Sequence, residues 1–188
     1  MKEELVAEDK KVSEPKDRGN IHTYYDGKEQ RRVMILPEYI AEFSSGKSKF
    51  KDFDKSSQTV MEGTRVKIYK IGNSTLKNSL QKGLIPTSIS ANGDFSPVFS
   101  STGSDTNLMT LPGSIVVELD RDLGNTEAES FGKENKIKYL KKLPLTNSNY
   151  YVFETSPGLP CLDKANELRN RPGVLSASPE WFQKGFTR

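Results

Sequence analysis

Tyr150-Tyr-Val-Phe-Glu-Thr155, Leu162-Asp-Lys-Ala-Asn-Glu-Leu168 and Val174-Leu-Ser-Ala177 are the three pieces of sequence that decide the fold. The first alternates and is rich in aromatic and β-branched side chains, which is the pattern of a half-buried strand. Ser156-Pro-Gly158 turns the chain. The second piece spaces Leu162, Ala165 and Leu168 at helical intervals and stops at Asn170-Arg-Pro-Gly173. The third is a return strand, and Ser178-Pro-Glu-Trp-Phe182 follows it as an aromatic end.

The same logic extends upstream. Gly113 to Leu119 alternates as a strand, Asn125 or Thr126 caps a helix through Glu134, Ile137 to Lys142 is a strand, and Pro144 to Asn149 is a turn. The order β-α-β-β-α-β predicts an α+β, ferredoxin-like (βαββαβ) domain over residues 101–183, with an antiparallel sheet and two helices. Residues 21–100 are expected to form a smaller, related or degenerate β-rich subdomain. There, Asp26-Gly27 after Tyr24-Tyr25 signals a hairpin. Arg32–Leu36 reads as a strand ended by Pro37 or placed at an edge, and Tyr39–Phe43 as another. Residues 44–60 read as a loop or poor helix, Arg65–Ile71 as a strand, and Ser74 or Thr75 as the cap of a short helix that Gly83 stops. Arg65–Ile71, Leu76–Leu80 and Ile89–Phe95 parallel Tyr150–Thr155, Leu162–Leu168 and Val174–Ala177. An internal repeat and two unrelated β-α-β pieces both fit. Residues 1–20 read as a disordered leader and 184–188 as a C-terminal tail.

Composition narrows the chemistry. The 188 residues carry 28 Lys and Arg against 25 Asp and Glu, a net charge of +3, which does not call for nucleic acid. One cysteine, Cys161, and one histidine, His22, rule out an internal disulfide and a His/Cys zinc cluster. No metal or cofactor is expected. No apolar run reaches the roughly 18 residues of a membrane span. The amino terminus lacks the apolar stretch of a signal peptide. The chain is expected in the cytoplasm if Met1 is the native start, or secreted or in the cell envelope if a leader was removed.

Several motifs invite chemistry. Ala41-Glu-Phe-Ser-Ser-Gly-Lys-Ser48 matches a relaxed phosphate-binding loop with Ala in the first Gly position, so a nucleotide-binding protein is one alternative. Pro37 interrupts the strand such a loop needs, and Lys49–Lys55 has no amphipathic stripe. The favoured reading is an ordinary Ser/Gly/Lys loop. Ile115–Asp120 resembles the companion strand ending in a carboxylate, but Glu118 breaks the buried run. Glu127, Glu129 and Glu134 read as a solvated face. Lys138, Tyr139, Lys141 and Lys142 form a basic-aromatic cluster without the aromatic strand motif of RNA-binding domains. His22 reads as a surface residue. Cys161 follows Pro160 at a helix start, where the dipole lowers a thiol pKa.

Residues 96–182 resemble the amino-terminal prodomain of bacterial subtilisin-like serine peptidases. The resemblance rests on Ser96-Pro-Val-Phe99, Leu111-Pro-Gly-Ser-Ile-Val-Val-Glu-Leu119, Tyr151-Val-Phe-Glu154 and Ala165-Asn-Glu-Leu-Arg-Asn-Arg-Pro-Gly-Val-Leu-Ser-Ala-Ser-Pro-Glu-Trp181. Val174, Ala177, Pro179, Glu180 and Trp181 fit its helix, Pro-Gly-Val and Ala-x-Pro-acid-aromatic pattern. The Asp-Ser/Thr-Gly, His-Gly-Thr and Gly-Thr-Ser-Met-Ala elements of the catalytic domain are absent from the sequence. The resemblance therefore implies a non-enzymatic inhibitor or intramolecular chaperone. Its partner would be a subtilisin-like catalytic domain, in cis or in trans, with the carboxyl-terminal tail lying in the substrate cleft as an added strand. The residues it assigns to protease binding are Trp181, Phe182, Gln183, Lys184, Gly185, Phe186, Thr187 and Arg188. A ferredoxin-like adaptor for a non-protease partner is the remaining alternative.

Overall fold

A computed structural model describes residues 21–183; the expected leader over 1–20 and the tail over 184–188 lie outside the described residues. β1 (Ile21–Asp26) and β2 (Glu29–Phe43) form a hairpin. Its two-residue loop places Gly27 at φ 60, the left-handed start that a type II′ turn gives to glycine. The chain continues through α1 (Phe50–Phe53), β3 (Gln58–Glu62), β4 (Val66–Lys70), α2 (Ser74–Gln81), α3 (Thr87–Ser90) and β5 (Asp94–Ser100). After β6 (Met109–Thr110) come β7 (Ser114–Leu119), α4 (Asn125–Glu134), β8 (Lys138–Lys142), β9 (Tyr150–Glu154), α5 (Leu159–Leu168), β10 (Val174–Pro179) and β11 (Phe182–Gln183).

The architecture is α+β with two antiparallel sheets. The second sheet has the order β10-β7-β9-β8, so β7 lies between the two strands that α5 connects. The first sheet runs β11-β6-β5-β2-β4-β3, with β1 paired to the free part of β2. Within it, β2, α1, β3, β4, α2 and β5 repeat the order of elements of the second sheet. Their spatial order, β5-β2-β4-β3, repeats its strand order too. The parallel between the two halves of the sequence thus has a topological counterpart.

The amino-terminal part is not the smaller one: among the described residues its sheet has seven strands against four. Three things enlarge it. Pro37 does not end a strand, because β2 runs through it for 15 residues. Ile35 pairs with Phe99 and Ile40 with Pro97, so four residues of β2 bulge against Val98 alone. A bulge tolerates the missing proline amide. It also shifts the alternation, so that Val33 and Ile35 enter one core, Ile40 a second, and Leu36, Tyr39 and Ala41 a third. Gln58–Glu62, inside the segment read as a loop, is an edge strand. Finally, Met109–Thr110 and Phe182–Gln183 join this sheet from beyond residue 100.

One core joins the sheets. Ile115, Val117, Leu119, Tyr151 and Phe153 meet Ala128 of α4, Cys161, Leu162, Ala165 and Leu168 of α5, and Tyr24, Val33, Ile35 and Phe99 of the first sheet. α4 lies so close to β8 that a Cβ on Gly132 would sit 2.8 Å from the Ile137 carbonyl oxygen. α5 is tied to the hairpin. Asn166 Nδ2 donates to the Thr23 carbonyl at 2.8 Å, and Arg169 donates to the Gly27 carbonyl at 2.6 Å with its guanidinium 3.8 Å over the Tyr25 ring.

Candidate functional site

The strands of the second sheet present two different faces. Along β7, Ile115, Val117 and Leu119 are buried against the helices, while Ser114, Val116 and Glu118 point the other way and are half-buried. Cross-strand pairing sets Ser178, Val116, Val152 and Lys141 in one row on that second face. Val116 and Val152 join none of the three hydrophobic clusters, yet Val152 is only 5% exposed and Val116 is half-buried, so neighbouring side chains already shield the centre of the row. Polar pairs flank the row. Ser176 Oγ donates to Glu118 at 3.0 Å, and Lys138 pairs with Glu154 at 3.2 Å. Each edge strand has a bulge, at Leu175 in β10 and Leu140 in β8. Both leucines are exposed, at 55% and 42%. The result is a sheet face on which no helix packs among the described residues, with a largely shielded valine centre, charged flanks and exposed apolar edges at Leu140 and Leu175.

β10 then delivers the residues expected to bind a protease. The Glu180 amide donates to the Ser114 carbonyl at 2.9 Å and so turns the chain off β10. Trp181 does not project into solvent. Its ring packs edge-on against Tyr24 at 4.9 Å and Phe99 at 5.3 Å. Its indole Nε1 is buried without a hydrogen-bond partner. Phe182 and Gln183 pair with Thr110 and Met109. Three of the eight expected contact residues are thus engaged within the fold, while Lys184, Gly185, Phe186, Thr187 and Arg188 lie outside the described residues.

The phosphate-loop match lies elsewhere and is built differently. Ala41–Phe43 end β2, which is antiparallel to both β4 and β5, and only a four-residue helix follows. Glu42 is 1% exposed, and its carboxylate accepts the Ser48 hydroxyl at 2.8 Å and the Lys49 amide at 2.8 Å. The Glu42 side chain therefore already engages two of the donors at the end of this loop. The companion strand Ile115–Asp120 belongs to the other sheet.

The remaining candidates lie on β8, α4, β1 and α5. In the basic-aromatic cluster, Lys142 pairs with Asp122 at 2.5 Å, and Tyr139 turns inward onto Tyr151 and Phe153. Glu127 accepts the Gly124 amide at 3.1 Å as part of the α4 cap, which begins at Gly124 rather than at Asn125 or Thr126. His22 is half-buried rather than on the surface. Burial lowers its pKa, and the facing Asp163 opposes that shift. Cys161 is fully buried, and desolvation pushes its thiol up to about 12. Burial outweighs the helix-start effect anticipated from sequence. Among the described residues no cluster of His, Cys, Asp and Glu is arranged to hold a metal, and no helix is long and apolar enough to cross a membrane.

Sequence reasoning missed one polar centre. Asp54, 5% exposed, accepts from the Ser56 amide (3.1 Å), the Ser56 hydroxyl (2.5 Å), the Gly72 amide (3.0 Å) and the Asn73 amide (3.3 Å). Burial alone raises its pKa, but these four donors outweigh it and hold the carboxyl below the ordinary range. The only local signal is the Asp-x-Ser turn pattern. Known protein families, curated proteins and solved structures offer no match to this chain.

Proposed function

We propose that the chain is a non-catalytic module that binds a subtilisin-like serine peptidase as inhibitor or intramolecular chaperone, and that residues 114–179 are its ferredoxin-like platform. The observation that carries this reading is the face of the second sheet on which no helix packs among the described residues, with exposed Leu140 and Leu175 at its edges and the Pro172-Gly-Val174 to Trp181 segment along one of them. In the peptidase family that this segment resembles, the prodomain sheet packs on helices of the catalytic domain. A valine-centred face with mixed-charge flanks and exposed leucines at its edges offers such helices a surface to cover. In this reading residues 184–188 enter the substrate cleft, and Trp181, Phe182 and Gln183 form the root from which they leave. The β-α-β-β-α-β order and the strand order β10-β7-β9-β8 support the ferredoxin-like assignment.

The experiment is inhibition of a panel of purified subtilisin-type peptidases, read with a chromogenic peptide substrate, alongside refolding of the same enzymes with and without the chain. We expect inhibition, and we expect Val116→Arg to weaken it at least about tenfold with an unchanged melting temperature. A cation placed in the row is desolvated on docking, whereas in the free protein it stays in water. Failure of the chain both to inhibit and to assist refolding across the panel refutes the proposal.

A further inference from the structure

We infer that the cavity between α1 and α3 is a docking site for an acidic peptide segment of a partner protein. One aromatic side chain of that segment sits in the cavity, and the carboxylates beside it meet the lysines around α1. The inference stands apart from the peptidase-binding reading, because it uses the first sheet's helices and no residue of β7, β9 or β10.

The floor of the cavity is core. Phe50, Ile89 and Phe95 are buried members of one hydrophobic cluster, and all three border an opening of about 320 Å³. Phe53 forms a wall. Its spacing of three from Phe50 puts both rings on one side of the short helix. Phe53 is 41% exposed and joins none of the hydrophobic clusters, and its ring lies 6.3 Å from that of Phe50. Phe50 lies 6.3 Å from Phe95 in turn. Small-molecule sites span roughly 300–1,000 Å³, so this cavity has room for one side chain. An aromatic ring set among three others gains offset and edge-on contacts beyond its burial.

Charge decides the class of partner. Residues 47–55 carry Lys47, Lys49, Lys51 and Lys55 against Asp52 and Asp54. Neither acid is left unpaired to repel an anion. Asp52, at the rim, pairs with Lys47 at 3.9 Å, and Asp54 is buried beneath its own donors. Lys49, Lys51 and Lys55 make no ion pair among the described residues. Lys49 borders the cavity, and its stem passes 3.7 Å from where a Cβ on Gly93 would lie. Asp94, the neighbour of Phe95 in the chain, borders other cavities instead. On the α3 side, the Asn92 side-chain amide donates to the Ser88 carbonyl at 2.7 Å, and the Ser88 hydroxyl is left to donate outward. A carboxylate beside the anchor thus meets an ammonium on one side and a hydroxyl on the other. A basic segment would meet like charge. The ring supplies most of the affinity, and the exposed lysines select the sign of the partner and speed its arrival.

The test is binding of short fluorescein-labelled peptides to the intact chain, read by anisotropy. One peptide has a central Phe flanked by Asp and Glu, a second replaces that Phe with Ala, and a third keeps Phe but has Lys flanks. A pool with a fixed Phe and randomised acidic flanks removes dependence on one flanking sequence. We expect the acidic Phe peptides to bind at least about tenfold more tightly than the Ala and Lys versions. Amide resonances of Phe50, Phe53, Ile89 and Asn92 should shift on binding. Phe53→Ser, which removes an exposed ring, should weaken binding at least about tenfold with an unchanged melting temperature. Lys49→Gln should weaken it about threefold and flatten its salt dependence. If Phe53→Ser alters the fold, Ser88→Phe, which fills the opening from its exposed rim, takes its place with the same expectation. Equal binding of the Ala peptide reduces the site to a charged patch, and equal binding of the Lys-flanked peptide removes the acidic partner; either overturns the proposal. So do unchanged binding by Phe53→Ser, displacement by phenylacetate as tight as by peptide, and absence of saturable binding across the pool. The two readings fail separately: Val116→Arg should leave peptide binding unchanged, and Phe53→Ser should leave peptidase inhibition unchanged. Loss of peptide binding in Val116→Arg overturns the location assigned here.

Discussion

Asp54→Asn isolates the buried carboxylate that ties the loop after α1 to the turn before α2. Oδ1 of Asp54 accepts from Ser56 twice, and Oδ2 accepts the Gly72 and Asn73 amides. The asparagine side chain has nearly the same shape but one oxygen fewer. Turned toward Gly72 and Asn73, its NH₂ leaves two amides unmatched; turned toward Ser56, it leaves the Ser56 amide unmatched, while the Ser56 hydroxyl can rotate to accept. An unmatched buried donor costs about 1–3 kcal/mol, and a hydrogen bond to a charged group is stronger than one to a neutral acceptor. Allowing for partial relaxation, the expected loss is about 3 kcal/mol at pH 7. For a protein of this size that corresponds to a fall of roughly 6–12 °C in melting temperature. The pH dependence carries a definite sign. The folded pKa lies below the unfolded value, so the contribution of Asp54 is fully present above about pH 4 and is lost as pH falls through the folded pKa. Urea unfolding of both proteins from pH 7 down to pH 3 should show a gap that is widest at neutral pH and narrows in acid. A gap under about 1 kcal/mol at pH 7, or one that does not narrow below pH 4, refutes the account of this carboxylate.

Two further outcomes follow from the same structure. The Cys161 thiol, fully buried and raised to about 12, should resist an aromatic disulfide reagent at pH 8 in the native protein and react within minutes in urea; fast native labelling contradicts its burial. Calorimetric titration with ATP or GTP should show no binding, because Glu42 occupies the Ser48 and Lys49 donors; saturable binding abolished by Lys47→Ala would falsify that view of the loop.

The second half of the fold was legible because its signals are local. β7, β9, α5 and β10 each carry their own periodicity, and Pro and Gly punctuate them at Ser156–Gly158 and Asn170–Gly173. The first half was harder to read. Gln58–Glu62 has little apolar content because it is an edge strand with mostly exposed positions. Pro37 looks like a strand breaker, yet four residues bulging against Val98 accommodate it without ending β2. Met109–Thr110 and Phe182–Gln183 are two residues each, too short for any period to show. Asp54 and Glu42 are ordinary acidic residues in sequence. Their importance comes from burial and from donors such as Gly72 and Asn73 that only the folded chain brings near.

The candidate site divides along the same line. Alternation in Ser114–Leu119 by itself determined that β7 has two unlike faces, since side chains on a strand must alternate. Which face the helices cover, and so which one is left with Val116 and Val152, depended on how α4 and α5 cross back over the sheet. The aromatic end at Trp181 and Phe182 was equally plain in the sequence, but its role was not. Tyr24 and Phe99 are distant in the chain and meet Trp181 only after both sheets have formed. Local periodicity and turn chemistry act over a few residues and can be read along the chain. Packing acts across the whole chain, and it alone decided that the last described residues are the seventh strand of the first sheet.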